Sequence, residues 1–320
     1  YEAPPAAPLW LPGDGPRSRA ATQAEGAALE ARLVASRWRI AGEVRDAYWS
    51  LQLAQLDREL AQQRLTGAQQ LAGDVTRRVR AGDLARSDQH QADGAVAAAG
   101  GAVAVAQVAV ARAAQRWTAL TGSAPPAMEA QPESAPSASP AVDAGHPALG
   151  ELIAKSEVAR QVRSLADVQR RANPELVVGA TRERGSFDER YGQTLTLGVR
   201  IPLGRSSTHR PKVAMAAADQ VVGEVQLALE QDRVRAEARA AAGRVDAARE
   251  VLAAAERRAE LAVESRGFFD KSFRLGETDL PTRLRAEFEA VEAERESARS
   301  RIELAAAISQ LRQALGLLPE

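Results

Sequence analysis

Few residues of this sequence are of the types that make or break bonds. There is no cysteine, which removes disulfides, thiolate metal sites and a catalytic thiol. The three histidines, His90, His146 and His209, stand in different segments, none at ligand spacing from another. No phosphate loop, nucleophile motif or pair of catalytic carboxylates stands out, and Asp88 reads as a structural or pore-lining carboxylate rather than an acid catalyst. The sequence therefore predicts no catalytic residue, no metal and no cofactor, and a protein that is not an enzyme. The residues that do stand out mark turns. Gly82 and Gly276 sit where a helix would end, and Asp279 with Pro281 where the next would begin.

Composition narrows what those turns belong to. Lysine plus arginine and aspartate plus glutamate both number 42, so no global basic field recruits nucleic acid. Hydrophobic residues make up 45% of the chain and aromatics only 4%, which suits thin, closely packed helices better than a thick core. No stretch approaches the roughly 20 consecutive apolar residues of a membrane-spanning helix, so membrane contact is expected through strands. The opening Tyr1-Glu2-Ala3-Pro4 lacks the pattern of a secretory signal.

Proline is absent between Pro16 and Pro125 and between Pro211 and Pro281, which leaves two windows for long helices. In the first, Ile40, Val44, Ala47, Leu51, Ala54, Ala61, Leu65 and Ala68 follow alternating three- and four-residue steps, interrupted by Arg58. A second seam, Trp49, Leu53, Leu56 and Leu60, runs beside it, so the helix is expected to touch neighbours on two sides. Glu292 with Arg295 and Glu296 with Arg299 read as surface pairs.

An internal repeat organises the whole. Gly82 and Gly276 are 276 − 82 = 194 residues apart, and the same offset places Pro8-Leu9 on Pro202-Leu203, Glu43 and Arg45 on Glu237 and Arg239, Arg80 on Arg274, and Gly122 on Gly316. Each copy, 8–122 and 202–316, reads as a strand end, a helix of about 60–70 residues, a glycine turn and a return helix of about 35–40 residues. The longer helix spans roughly 100 Å at 1.5 Å per residue, a length suited to a tube or stalk.

The domain reading is thus a first repeat at 1–122, a Pro/Ser/Ala linker at 123–147, a second repeat at 148–316 and a tail at 317–320. Within the second repeat a helix is expected over Ala148 to Ala172, ended by Asn173-Pro174. A hairpin over 176–203 follows, with a strand at Leu176 to Thr181 and a polar turn at Gly185 to Arg190. In its second strand Leu195, Leu197, Val199 and Ile201 face one way, and Thr194, Thr196, Gly198 and Arg200 the other. One apolar and one polar face suits a membrane barrel wall, or a hairpin packed on a soluble core.

With these elements in place the sequence resembles the TolC family of outer-membrane efflux proteins. The likeness rests on Val199-Arg200-Ile201-Pro202-Leu203-Gly204, on Ala216-Ala217-Ala218-Asp219-Gln220, and on the turns Arg80-Ala81-Gly82-Asp83-Leu84 and Arg274-Leu275-Gly276-Glu277-Thr278-Asp279-Leu280. The helix ends Ala119-Leu120-Thr121-Gly122 and Gln313-Ala314-Leu315-Gly316 complete it. The resemblance implies a mostly helical fold: long antiparallel coiled-coil helices forming a periplasmic tunnel, with strands of a transmembrane β-barrel. It implies a homotrimer in the outer membrane, each protomer giving four strands to a twelve-stranded barrel in outer-membrane lipid. It further implies passive conduction of substrate from a periplasmic adaptor and an inner-membrane pump, expected to be RND-type. Gly82, Asp83, Leu84, Gly276, Glu277, Thr278 and Asp279 become adaptor-docking tips.

The gate departs from the family pattern. Thr282 and Arg285 occupy the positions where the best-known member carries aspartates six and nine residues after the second tip glycine. Asp88 is kept, but a tyrosine and an arginine expected to partner it are Phe273 and Thr278 here. Asp88, Thr282 and Arg285 are therefore the candidate pore or gate residues. The competing reading is a soluble coiled-coil scaffold or periplasmic adaptor, which the absence of a lipoyl-like or small β-barrel domain disfavours. Applying the offset to the helix and strand before Pro202 also leads us to expect that the first copy lacks about 50 residues at its start, leaving only a strand stub at Pro8 to Leu11.

Overall fold

The computed structural model describes residues 6–8, 13–126, 132–136, 145–169, 173–183, 192–201 and 209–319. The elements run β1 (Ala6–Pro8), α1 (Asp14–Ala81), α2 (Arg86–Thr121), α3 (Pro147–Val168), β2 (Glu175–Glu183), β3 (Gly192–Arg200), α4 (His209–Arg274) and α5 (Leu280–Ala314). The long helices α1 and α4 have 68 and 66 residues and the return helices α2 and α5 have 36 and 35, as the spacing of prolines and glycines predicts. Pro16, Pro211 and Pro281 all fall in the first turn of a helix, where the missing N–H has no intrahelical acceptor to serve. By internal packing the chain divides into two compact units, Tyr1–Ser36 with Ala144–Arg233, and Arg37–Asp143 with Val234–Glu320.

In the first unit α3 begins on His146, whose Nδ1 accepts the Ala148 N–H at 3.2 Å while the side chain is buried. That histidine is a helix cap, and the helix it starts stops at Val168 rather than at Ala172. The three strands form one antiparallel sheet in the order β1-β2-β3. Register pairs Leu176 with Val199, Val178 with Leu197 and Ala180 with Leu195, so one face carries an apolar residue at each of these positions. Glu175 pairs with Arg200 at the sheet end and the two form an ion pair at 3.1 Å.

Strand bounds differ from the sequence reading. Both hairpin strands are longer than expected, Ile201 lies one residue beyond β3, and β1 covers Ala6–Pro8, while residues 9–11 of the expected stub lie outside the described residues. Alternation of side-chain type defines a face but not where ladder hydrogen bonding ends. The polar turn at Gly185 to Arg190 and the strand end Pro202-Leu203 lie outside the described residues.

The second unit holds the seams of α1. Ala47, Leu51 and Trp49 are buried as expected, but Ile40 is 55% exposed. Its neighbour on the helix explains this: the Trp38 indole N–H donates to the Gln313 carbonyl at 2.9 Å, and the Gln313 amide returns a bond to the Trp38 carbonyl at 2.9 Å. The end of α5 therefore lies over the Trp38 and Gly42 side of α1. A Cβ at Gly42 would stand 2.8 Å from Gln313 Nε2. On α5, Arg299 pairs with Glu303 at 2.8 Å, one helical turn beyond, rather than with Glu296.

Within the linker, residues 132–136 are tied to this contact. Arg45 clasps Glu133 in bidentate fashion, Nη2 to Oε1 at 2.7 Å and Nε to Oε2 at 3.1 Å, and also donates to the Leu317 carbonyl at 2.9 Å. Ser309 donates to Glu133, and Arg312 donates to the Ser134 carbonyl at 3.0 Å. Arg45 and Arg312 are both buried. Desolvation pushes the Glu133 carboxyl upward, but hydrogen bonds from Arg45 and Ser309 and the charges of Arg45 and Arg312 outweigh it and hold the group below the usual carboxylate range.

A second correction concerns α2. It contains an 18-residue window long and apolar enough by composition to cross a membrane, which a count of strictly consecutive apolar residues misses because glycines and Gln107 interrupt it. Ala92, Ala99, Val103 and Ala106 are buried on one face, while Val105 and Val108 are 73% and 65% exposed.

Removing the Glu133 carboxylate takes the negative charge from between two buried arginines, which keep only their carbonyl, amide and hydroxyl acceptors, at an expected loss of about 1–3 kcal/mol. Glu133→Ala should lower the melting temperature and speed proteolytic cleavage within 123–147, while Glu157→Ala, an exposed helix-surface pair partner, should do neither. Because the folded-state pKa of Glu133 is depressed, its contribution is complete above the ordinary carboxylate range and disappears as pH falls through the lowered value. Cleavage of the wild-type linker should rise over that acidic window; pH-independent cleavage would count against the network.

Candidate functional site

The two glycine turns are built alike. Gly82 has φ +86° and Gly276 φ +79°, in the left-handed region. At the first turn the Gly82 N–H reaches the Val79 carbonyl at 3.1 Å and the Asp83 N–H the Arg78 carbonyl at 2.9 Å. At the second, Gly276 reaches Phe273 at 3.1 Å and Glu277 reaches Ser272 at 3.0 Å. This pair of bonds satisfies the last carbonyls of the incoming helix and reverses the chain within four residues.

The outgoing helices start differently. Asp279 caps α5 by accepting the Thr282 N–H at 3.1 Å, with Pro281 in the first turn. Hydrogen bonds from the Thr282 side chain and backbone, helped by the charge of Arg285, hold its carboxyl below the usual range. At α2 the cap position is Ala85, which has no side-chain acceptor; instead Asp88 reaches back and accepts the Ala85 N–H at 3.0 Å. The candidate gate carboxylate is thus engaged by its own helix start.

Packing sorts the tip residues. Gly82, Asp83, Gly276, Glu277 and Asp279 are exposed. Leu84 is half-buried against a core of Leu71, Ala72, Val75, Ala92, Phe273 and Leu280, drawn from all four helices. Thr278 is half-buried and its hydroxyl lies 2.5 Å from that of Ser272. Thr282 is half-buried and Arg285 exposed. Phe273 stands at 3% exposure with Arg78 and Arg283 over its ring at 4.7 and 5.0 Å. Arg283 is tied in turn to Asp270 at 2.8 Å. These aromatic and ionic contacts were not legible in the sequence, because Phe273 follows Phe268 and Phe269 within five residues and nothing in the spacing separates the buried ring from its two exposed neighbours.

The other candidate surface is the sheet. Leu195 and Leu197 are 79% and 71% exposed, and Val199, Ile201 and Val178 are exposed too. A row of large apolar side chains left uncovered on one sheet face marks a contact with lipid or protein.

No protein-family model matches the sequence, and no curated protein matches it by sequence. Solved structures do match, over nearly all of the chain. A membrane protein from Pseudomonas aeruginosa superposes with a TM-score of 0.79 at 18% identity, over 98% of this chain and 76% of that one. The Campylobacter jejuni CmeC outer membrane channel gives 0.78 at 15% identity, over 97% and 69%. The Vibrio cholerae outer membrane protein VceC gives 0.77 at 18% identity, over 98% and 79%. The chain has the fold of these membrane proteins, two of them outer-membrane proteins, and it is mostly helical as the TolC resemblance implies.

Substituting alanine at Gly82 or Gly276 should cost about 1 kcal/mol each through backbone strain alone, since a Cβ at either would meet nothing within 4 Å. Melting temperatures of the two variants should fall by similar amounts; loss at only one would show that the turns carry unequal strain. Asp279→Ala should destabilise the start of α5 more than Asp279→Asn, because asparagine keeps the accepting oxygen and gives up only the charge. With its folded pKa depressed, the charged form's part of the Asp279 cap is present above the ordinary carboxylate range and lost on acidification through the lowered value. Protection of the Thr282 amide, measured against its intrinsic exchange rate at each pH, should fall there.

Proposed function

We propose that the chain is one protomer of a passive outer-membrane duct of a tripartite efflux pump, assembled as a homotrimer, its helices forming a periplasmic tunnel and its strands part of a transmembrane barrel. The observation that carries this reading is the uncovered apolar row Leu195, Leu197 and Val199 in a chain with an outer-membrane channel's fold. Such a row is costly in water and favourable against hydrocarbon, and a closed barrel satisfies the strand edges that lipid cannot. The outward valines of α2 support trimer formation, since a neighbouring protomer would cover them. The internal repeat is supported by the same pair of hydrogen bonds at turns 194 residues apart (276 − 82 = 194).

On this reading the periplasmic adaptor docks on the exposed turns at Gly82, Asp83, Gly276, Glu277 and Asp279, and an inner-membrane pump of RND type delivers the substrate. Thr278 and Leu84 hold the tip's shape. Asp88, Thr282 and Arg285 line the approach to the tunnel mouth, where a threonine and an arginine in place of carboxylates would leave the gate less attractive to cations.

The decisive experiment is reconstitution of the full-length protein in planar bilayers with native mass measurement. Steady single-channel conductance from a trimer is expected; a monomer without conductance overturns the proposal. Leu197→Arg should hinder membrane assembly by about 2–4 kcal/mol if the position lies near the lipid midplane. Crosslinkers placed at residues 83 and 277 in cells carrying the complete pump should capture the adaptor, and persistent failure of both removes the docking assignment.

A further inference from the structure

Beside the turns, within the second unit, the four helices α1, α2, α4 and α5 leave a cleft of about 950 Å³ between them. Its volume falls in the range of small-molecule sites, and its wall includes Leu60, Leu71, Leu284 and Val291. Six arginines and four carboxylates also line it. The carboxylates are all engaged: Asp270 by Arg274 and Arg283, each at 2.8 Å, Glu287 and Glu294 by Arg266 at 3.7 and 3.4 Å, and Asp74 by Arg77 at 3.2 Å.

Arg64 and Arg78 remain. Neither has a carboxylate within ion-pair distance among the described residues. Each guanidinium instead lies over a phenylalanine ring, Arg64 over Phe288 at 5.0 Å and Arg78 over Phe273 at 4.7 Å. A ring face attracts a cation and holds its plane but does not neutralise it, and the N–H donors at the guanidinium edge stay available. The cleft therefore offers two half-buried positive forks on an apolar, aromatic wall.

The geometry points to this cleft as a binding site for small amphiphilic anions, organic carboxylates or sulfonates with a flat apolar body, whose charge Arg64 and Arg78 receive while Phe288, Leu284 and Val291 flank the body. Arginine suits this role because its planar fork meets a carboxylate or sulfonate with two parallel hydrogen bonds. An inorganic anion would gain nothing from the apolar wall, and an organic cation would meet net positive charge. The inference goes beyond the duct reading and does not depend on it.

Isothermal titration of the full-length protein with naphthalene-1-sulfonate, against a protein-free blank of the same carrier, tests it. Saturable binding at one site per protomer is expected, weakened by added salt. The matched cation 1-naphthylmethylammonium should not compete. Arg64→Gln with Arg78→Gln should weaken binding at least about tenfold, as expected for loss of two charge-assisted hydrogen-bonding groups. Arg249→Gln, an exposed arginine paired with Asp246 away from the cleft, should leave it unchanged. Gly67→Phe provides a variant that spares both arginines: Gly67 lines the cleft on α1 with open space beside it, so the ring fills the site and phenylalanine improves helix propensity there. It should abolish binding while melting at or above the wild-type temperature. Absence of saturable binding, equal affinity for the cation, or undiminished binding in either cleft variant would overturn the site.

Discussion

Alanine governs how this chain packs. Of the 27 buried hydrophobic residues among those described, 17 are alanine, and Ala35, Ala238, Ala241, Ala290 and Ala293 are wholly enclosed. Small contact residues let helices approach at the short end of the usual 8–10 Å separation, but each buries little apolar area. Cohesion is thus spread thinly along helices of 66 and 68 residues and must be supplemented where larger groups converge. Two such places exist in the second unit. One is the core under the turns, closed by Leu71, Val75, Phe273 and Leu280; the other is the polar knot of Arg45, Glu133, Ser309, Arg312 and Gln313.

Close approach also explains why polar side chains are buried here. Ser297, Ser300 and Ser309 stand among the buried residues of α5 with its alanines, and a serine fills nearly the volume of an alanine. The same thinness leaves large apolar residues outside. Val105 and Val108 on α2, and Leu195 and Leu197 on β3, have no covering layer within the described residues. A chain that spends its small residues on its own contacts and keeps its large apolar ones on the outside is built to complete its burial against something else.

Much of this was legible in the sequence. Proline-free windows gave the long helices, because proline has a strong and local effect. Gly82 and Gly276 gave the reversals, because a left-handed backbone admits few other residues. Alternation gave the face of β3. What failed was whatever depends on distant partners. Ile40 fits a heptad seam, but seam position says nothing about which side the end of α5 will occupy, and Gln313 is more than 270 residues away. Glu133 sits in a stretch whose composition reads as an irregular linker, and its contacts with Arg45 and Arg312 join residues far apart in the chain. The assignment of Asp88 as a gate or structural carboxylate needed the Ala85 N–H in place before the structural role could be seen.

The contrast between the two helix starts bears on how each turn responds when a partner pulls on it. Asp279 is attached to α5 through its own cap, so any partner that draws its carboxylate away must also loosen the first turn of that helix. Asp88 stands three residues into α2 and only returns a bond to Ala85, a cap position with no side-chain acceptor of its own. Drawing Asp88 away therefore removes the side-chain support of that helix start altogether. The two turns share a backbone geometry but differ in what holds the next helix, and the first is the one with less to lose from opening. With the Phe273 core holding the incoming helices of both, strain introduced at the tips would be taken up first at Ala85 to Asp88, between a fixed turn and a helix that lacks a second cap.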